Sequence, residues 1–476
     1  MSGQKEQIEK RLGTIRDERI QLAKEEAQLK KRLLKENEDE NRMEDFRAYT
    51  AGYSREHIKW RRLDTSAIMY PLISGELNTN VYRISIVLKQ EIQEVLLQEA
   101  LNIVLPKFPL FNTRLRQGIH WYYLEENGQP APSVVKENTY PCQVINMQKN
   151  RNYLFRVTYF RRRINLEVYH VLTDGLGAGI FIRELVYQYL RLAVPSLGEA
   201  HGDTLSASTS LNTENRFWQN YEKQPLRPYR YEEAYQLKEA GLPRGQTGIL
   251  TGMVSVNAVR EAARRHRASV NEYLVAAMNY AVYENRRHSM RSGKPIITCV
   301  PVNMRPYLKS VATSNLFVNV FARFVPDGRE LTFDDVLRAV QESLHSQINQ
   351  EHLEELFSRN ISSADNLLSR MIPMVFKRLY LKHSYNRSVK GTTMTVSNLG
   401  SLKLEEEYAA YVERFVILLS RAKGQGLKLC IASYKDEMAL SFTSAFKSAA
   451  IPETFFRFLV KDGVGVAVET NGVYYR

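Results

Sequence analysis

Between residues 55 and 476, strand-length apolar runs alternate with helix-length amphipathic ones. The alternation lapses once, from about 196 to 245, where Gly, Ser, Thr, Asn and Pro become frequent. A chain patterned in this way folds as two units, each mixing strands with helices. In the first, 55–195, the pattern predicts strands at Val81–Leu88 and Trp121–Leu124. It also predicts a hairpin of Tyr153–Tyr159 and Ile164–His170 around Arg161-Arg162-Arg163. Helical spacing covers Glu91–Leu105, stopped by Pro106 and Pro109, and Leu176–Leu192, with Pro195 just beyond. In the second, 246–476, helices are predicted at Val256–His266, Val270–Tyr283, Phe333–Asn349 and Pro452–Lys461. Strands are predicted at Ile296–Val302, Met394–Gly400, Leu427–Tyr434 and Met438–Thr443. Strands often neighbour one another within each unit. The expected fold class is therefore α/β (α+β), with two similar mixed-sheet sandwiches side by side rather than one doubly wound parallel sheet. The 196–245 stretch reads as a linker with one short helix near Phe217-Trp218.

Residues 1–47 are a separate element. Charged residues dominate, and Ile8, Ile15, Leu22 and Leu29 recur every seven positions. The parallel stripe holds Leu12 and Leu33 but also Arg19 and Glu26, so only half a heptad seam is present. The expectation is one long amphipathic helix. Its seam either packs on the body or forms a coiled coil with a second copy or another chain. The twelve Lys/Arg and twelve Asp/Glu of residues 1–48 cancel, so the formal net charge of +14 sits on the body. Such a body attracts anions, phosphorylated small molecules among them. The basic clusters Arg161-Arg162-Arg163, Arg264-Arg265-His266-Arg267 and Arg286-Arg287-His288 come without a zinc-finger or RNP-like motif. They read as solvated surface rather than a specific nucleic-acid site. Cys142, Cys299 and Cys430 are scattered and odd in number, which fits buried thiols in a reducing compartment. No apolar run approaches the ~20 residues of a membrane span, and the start MSGQKEQIEKR lacks a signal peptide's apolar core. The expected location is the cytoplasm.

One segment carries chemistry: Leu166-Glu167-Val168-Tyr169-His170-Val171-Leu172-Thr173-Asp174-Gly175-Leu176-Gly177. A strand delivers a histidine at its end, and a helix starts after Asp174, a good N-cap. An imidazole with an ordinary pKa near 6.5 is suited to proton transfer near neutrality. Its ring needs an orienting partner, for which a buried, paired Asp174 is the candidate. N–H groups at the helix start can face an oxyanion. A dinucleotide loop does not fit, because Gly175-x-Gly177 lacks glycine or alanine at Ile180. Nor does a metal site, since neither His170 nor Asp174 has a second His or Cys close by in sequence.

His170-x-x-x-Asp174-Gly175 resembles the active-site motif of the chloramphenicol-acetyltransferase-like superfamily, which includes peptide-synthetase condensation domains and alcohol acetyltransferase-like acyltransferases. Other stretches resemble that family in the expected order: Phe108–Leu115 with Trp121-Tyr122-Tyr123, Ala268–Ala277, Val300-Pro301-Val302-Asn303-Met304-Arg305, and Ser397-Asn398-Leu399-Gly400. The resemblance covers roughly 60–476. It implies two lobes with a tunnel between them and an acyl group moved from acyl-CoA, as co-substrate, to a small-molecule alcohol or amine. His170 would be the general base. Asp174 would hold the loop by an ion pair with Arg305, and the Gly175 N–H would face the oxyanion. Ser397 and Asn398 would lie near the tunnel. No bound cofactor or metal is implied. Tyr169 stands where many condensation domains have another histidine, and Ser-Asn-Leu-Gly stands where plant enzymes have Asp-Phe-Gly-Trp-Gly. Two alternatives stay open: a stand-alone condensation enzyme using a carrier-protein thioester, and a non-catalytic scaffold of the same fold.

Overall fold

The computed structural model describes residues 60–201, 203–211, 232–289, 293–364 and 374–474. The 1–47 helix and the helix expected near Phe217-Trp218 lie outside the described residues. Strands β1 (Trp60–Arg62), β2 (Val81–Leu88), β3 (Thr113–Gln117), β4 (Tyr122–Glu126), β5 (Val135–Lys136), β6 (Phe155–Phe160) and β7 (Arg163–Tyr169) precede residue 196. After it come β8 (Gly248–Ser255), β9 (Ile296–Asn303), β10 (Phe317–Phe324), β11 (Met394–Ser401), β12 (Val412–Leu419), β13 (Leu427–Tyr434), β14 (Glu437–Ser444) and β15 (Ala467–Thr470). The first lobe has a five-stranded sheet ordered β12-β2-β7-β6-β5 and a small β1-β4-β3 sheet. The second has a seven-stranded sheet ordered β10-β9-β11-β13-β14-β8-β15. Both large sheets are mixed: β5 runs parallel to β6, and β11 runs parallel to both β9 and β13. The expected class of two mixed α/β lobes is what the chain forms.

The sheet of the second lobe is two-faced, as strict alternation requires. Val318, Val320 and Ala322 of β10, Ile296 and Val300 of β9, and Leu427, Leu429 and Ile431 of β13 are buried in one core under the helices Val270–Arg286, Phe333–Gln347 and Ala450–Lys461. Both Val270–Arg286 and Phe333–Gln347 start with a capping box, Ser269 with Glu272 and Thr332 with Asp335, which satisfies their first N–H groups. The opposite face of the sheet looks toward the first lobe.

The division at 246 needs one correction. Strand β12 leaves the second lobe and pairs antiparallel with β2, setting Phe415 opposite Ile86 and Ile417 opposite Ile84. Tyr408, Phe415, Ile417 and Cys430 are buried in the first lobe's core. The cause is edge chemistry: without β12, β2 would present an unpaired row of backbone donors and acceptors over that core. A smaller correction falls in the 196–245 stretch. It opens as the short helix Pro195–His201, with Pro195 at the first helical position, where its missing N–H costs nothing.

Each basic cluster holds ion pairs. Arg163 meets Glu137 at 2.7 Å, Arg162 meets Glu413 at 2.5 Å, Arg265 meets Asp462 at 3.5 Å and Arg287 meets Glu330 at 2.6 Å. All three cysteines are free and buried, and burial pushes the Cys299 and Cys430 thiols up to about 12. No described helix is long and apolar enough to cross a membrane.

Candidate active site

Strand β7 ends at Tyr169, and His170 follows it directly. The strand is fixed by Glu167, fully buried but compensated: it accepts from Arg83 Nε at 2.9 Å and from the Cys142 N–H at 2.6 Å, and it pairs with Arg156. The backbone then turns. The His170 N–H donates to Asn80 O at 2.8 Å, and the Tyr82 hydroxyl reaches the carbonyls of Thr173 and Asp174 at 3.0 and 2.8 Å. Asp174 caps the helix Gly175–Ala193, accepting from the Gly177 N–H at 3.2 Å. Gly177 is required by space: a Cβ there would stand 2.1 Å from Thr173 Oγ1 and 2.2 Å from Thr313 O. Gly177→Ala is therefore expected to cost about 1–3 kcal/mol, as overpacking does. Urea denaturation measures it.

The loop is locked by Arg305. Its Nη1 donates to Asp174 Oδ2 at 2.8 Å and to Asn303 Oδ1 at 3.2 Å. Its Nη2 donates to Asp174 Oδ1 at 3.0 Å and to Ser314 O at 2.8 Å, and its Nε donates to Ala312 O at 2.8 Å. All five guanidinium donors are used, and both charged residues are 7% exposed. The Leu316 N–H adds a bond to Asp174 Oδ2 at 3.0 Å. Asp174 and Arg305, 131 positions apart, thus join the lobes by a bidentate pair.

With its oxygens held in this way, Asp174 does not orient the histidine. Asn315 does. Its Nδ2 donates to Asp64 Oδ2 at 2.9 Å and to His170 O at 3.1 Å, which leaves its Oδ1 facing His170 Nδ1 at 3.0 Å. A carbonyl oxygen accepts only, so Nδ1 carries the proton and Nε2 is left with a free lone pair. Tyr70 stacks on the imidazole at 4.8 Å, with Tyr82 and Phe317 tilted against it at 4.9 and 5.7 Å. Burial lowers the His170 pKa below 6.5, and Asp174 and the Asn315 bond offset part of that shift. The ring is neutral at pH 7. Burial pushes Asp64 up to about 6 against the hydrogen bonds of Asn315 and of the Ala67 N–H.

His170 lines a cavity of about 560 Å³, within the range of small-molecule sites. Both lobes supply its wall. Tyr70, Asn80 and Tyr82 come from the first lobe; Cys299, Phe317, Asn319, Thr395 and Lys428 come from the face of the second lobe's sheet that looks toward the first. Ser397 and Asn398 fall outside this wall. Asn398 is exposed and accepts the Gly400 N–H at 2.9 Å, while Leu399 packs over Gly175, where a Cβ would meet its Cδ1 at 2.8 Å. Among the described residues, no group of three or more His, Cys, Asp or Glu is placed to hold a metal. Asn315, Asp64 and Tyr70 were not singled out from the sequence. The only local hint was Asp64, immediately ahead of the helix Thr65–Ile73 in an N-cap position.

No family model matches the chain, and no curated protein matches it. Solved structures do. F. graminearum TRI101 complexed with coenzyme A and deoxynivalenol aligns with a TM-score of 0.57 at 11% identity, over 86% of this chain and 99% of that one. Polyketide synthase associated protein 5 from Mycobacterium tuberculosis aligns at 0.54 and 14% identity, over 84% and 97%. The first condensation domain of the calcium-dependent antibiotic synthetase aligns at 0.52 and 12% identity, over 86% and 99%. The chain has the chloramphenicol-acetyltransferase-like fold that acetyltransferases and condensation domains share. At these identities the likeness is one of fold.

Proposed function

We propose that the protein is an acyltransferase that moves an acyl group from acyl-CoA to an alcohol or amine, with His170 as general base. The observation that carries this reading is the His170 imidazole on the wall of a cavity between the lobes, its Nδ1 held 3.0 Å from the Asn315 carboxamide oxygen. The acceptor's O–H or N–H donates its proton to Nε2 as the acceptor attacks the thioester carbonyl carbon. The carbonyl oxygen gathers negative charge. Gly175, the first residue of its helix, has an N–H without an intrahelical acceptor and is the backbone donor this reading assigns to that charge. Collapse of the tetrahedral adduct breaks the C–S bond, and the imidazolium returns its proton to the departing thiolate. The positive charge formed on His170 is stabilised through Asn315 by Asp64, ionised at pH 7. Asp174 and Arg305 hold the loop. The fold neighbours complexed with coenzyme A support a CoA donor, and the net charge of +14 suits a phosphorylated one.

The test is release of free thiol from acetyl-CoA and longer acyl-CoAs in the presence of pooled alcohols and amines. Release that needs His170 supports the reading. Folded protein that releases none with any CoA donor, yet turns over an acyl carrier-protein thioester, shifts it to a condensation enzyme. No turnover of either donor removes it.

Asn315 has its own signature. Asn315→Ala frees the ring and removes the acceptor from Nδ1, so turnover is expected to fall about 10–100-fold, as when a positioning partner is lost. Asn315→Asp keeps an acceptor oxygen for Nδ1 but loses the donor to Asp64 and His170 O, so it should recover only part of the rate, with the rate-controlling pKa displaced upward by the added negative charge. A pH–rate profile of the two variants checks this.

A further inference from the structure

The cavity floor is one face of the seven-stranded sheet, and its composition changes along one row. Phe321 of β10 stands opposite Cys299 of β9, Cys299 beside Thr395 of β11, and Thr395 beside Lys428 of β13. All four line the cavity. The next residue in the row, Thr443 of β14, has a buried hydroxyl without a hydrogen-bond partner among the described residues. The row thus runs from an aromatic ring through a thiol and a hydroxyl to an amine.

Lys428 is out of place on ordinary grounds. Its side chain is partly buried in the cavity wall, where a lysine ordinarily has a partner. Here no described carboxylate or carbonyl pairs with its ammonium, and the titratable groups that face it are the Cys430, Cys299 and Cys142 thiols, each kept in its neutral form by burial. The other charged residues of the wall, Glu232 and Arg323, bond to each other at 2.6 and 2.8 Å near the rim. A cation in a low-dielectric pocket without a counter-charge is costly. Burial lowers the pKa of Lys428 accordingly. Lys428 and His170 line the same cavity, so the amine and the imidazole share one chamber.

We propose that Lys428 is the anchor for a carboxylate on the substrate that occupies this cavity, so that the transfer involves an acid: either a hydroxy or amino acid acceptor or a dicarboxylic acyl group. This rests on the proposed role of His170. A single primary amine beside neutral hydroxyl and amide groups, Thr395 and Gln425, matches one negative charge. A phosphate would call for more donors. The carboxylate supplies the missing counter-charge, while the reacting hydroxyl, amine or thioester carbonyl reaches His170 across the apolar wall of Phe317 and Tyr82.

Calorimetric titration tests this without requiring turnover. The probes are ω-hydroxy acids of three to eight carbons and their primary amides, together with succinyl-CoA and acetyl-CoA. The full chain, Lys428→Met, Lys428→Arg and His170→Ala are compared after their melting temperatures are matched. At least one acid of either series should bind wild type ten-fold or more tighter than its uncharged counterpart. Lys428→Met should erase that preference, Lys428→Arg should keep part of it, and His170→Ala should keep all of it. A preference confined to the hydroxy acids places the carboxylate on the acceptor; one confined to succinyl-CoA places it on the donor. Equal binding of acids and neutral counterparts, or a preference that survives Lys428→Met, overturns the proposal. Because His170→Ala is among the binders, a failure of the acyltransferase reading shows separately, as acids bound at Lys428 by a protein that turns nothing over.

Discussion

His170→Ala is expected to lower turnover by about 10²–10⁴, the usual contribution of a general base, while leaving the protein folded. Among the described residues the side chain makes one polar contact of its own, Nδ1 with Asn315 at 3.0 Å, and its backbone bonds to Asn80 and Asn315 survive the change. The pH dependence should have a definite sign. Only the neutral imidazole is a base, and burial lowers its pKa below 6.5. The rate constant kcat/KM should therefore rise with pH through an inflection below 6.5 and be flat at neutrality. In His170→Ala that inflection should disappear. Steady-state kinetics from pH 5 to 8 makes the comparison, and wild-type rates in the variant would remove the mechanism.

The second large effect is structural. Arg305→Ala leaves the Asp174 carboxylate in a site 7% exposed with its cation gone, and it strips the acceptors Ala312 O and Ser314 O of their donors. Breaking such a buried pair costs about 3–5 kcal/mol, a large part of the ~5–15 kcal/mol by which domains are stable. Asp174→Asn should cost a similar amount from the other side, stranding the guanidinium. The double substitution should cost less than the sum of the two, because the stranded charge is gone. Guanidinium denaturation of the three variants tests this, and single losses under about 1 kcal/mol would mean that the pair behaves as a surface contact. Activity should fall in both single variants, because the loop they hold carries His170.

Much of this was legible in the sequence, for local reasons. The alternating apolar residues of Val81–Leu88 and Leu427–Tyr434 placed strands where the chain forms them. The helical spacing after Asp174 placed the helix Gly175–Ala193. Arg305 was found as the partner of Asp174 through the family resemblance of its segment. What was not legible depends on contacts between distant segments. Asn315 meets His170 across 145 positions and Asp64 across 251, and nothing local distinguishes it from any loop asparagine. Val412–Leu419 carries a strand's pattern, but a pattern does not say which sheet it joins. Lys428 sits in a strand otherwise rich in apolar residues, where a single lysine would ordinarily mark the solvent side. Only the second lobe's placement against the first makes that side a cavity.

The crossing of β12 also bears on how the chain is made. The edge of β2 stays open, and Phe415 and Ile417 are missing from the first core, until synthesis has passed Leu419. At about 5–20 residues per second, the first lobe waits on the order of tens of seconds on the ribosome for its last strand. Throughout that interval it presents a bare strand edge to other nascent chains. The lobe that carries His170 is therefore the first translated and among the last completed. Its yield in a cell should depend on chaperones that shield an unfinished sheet.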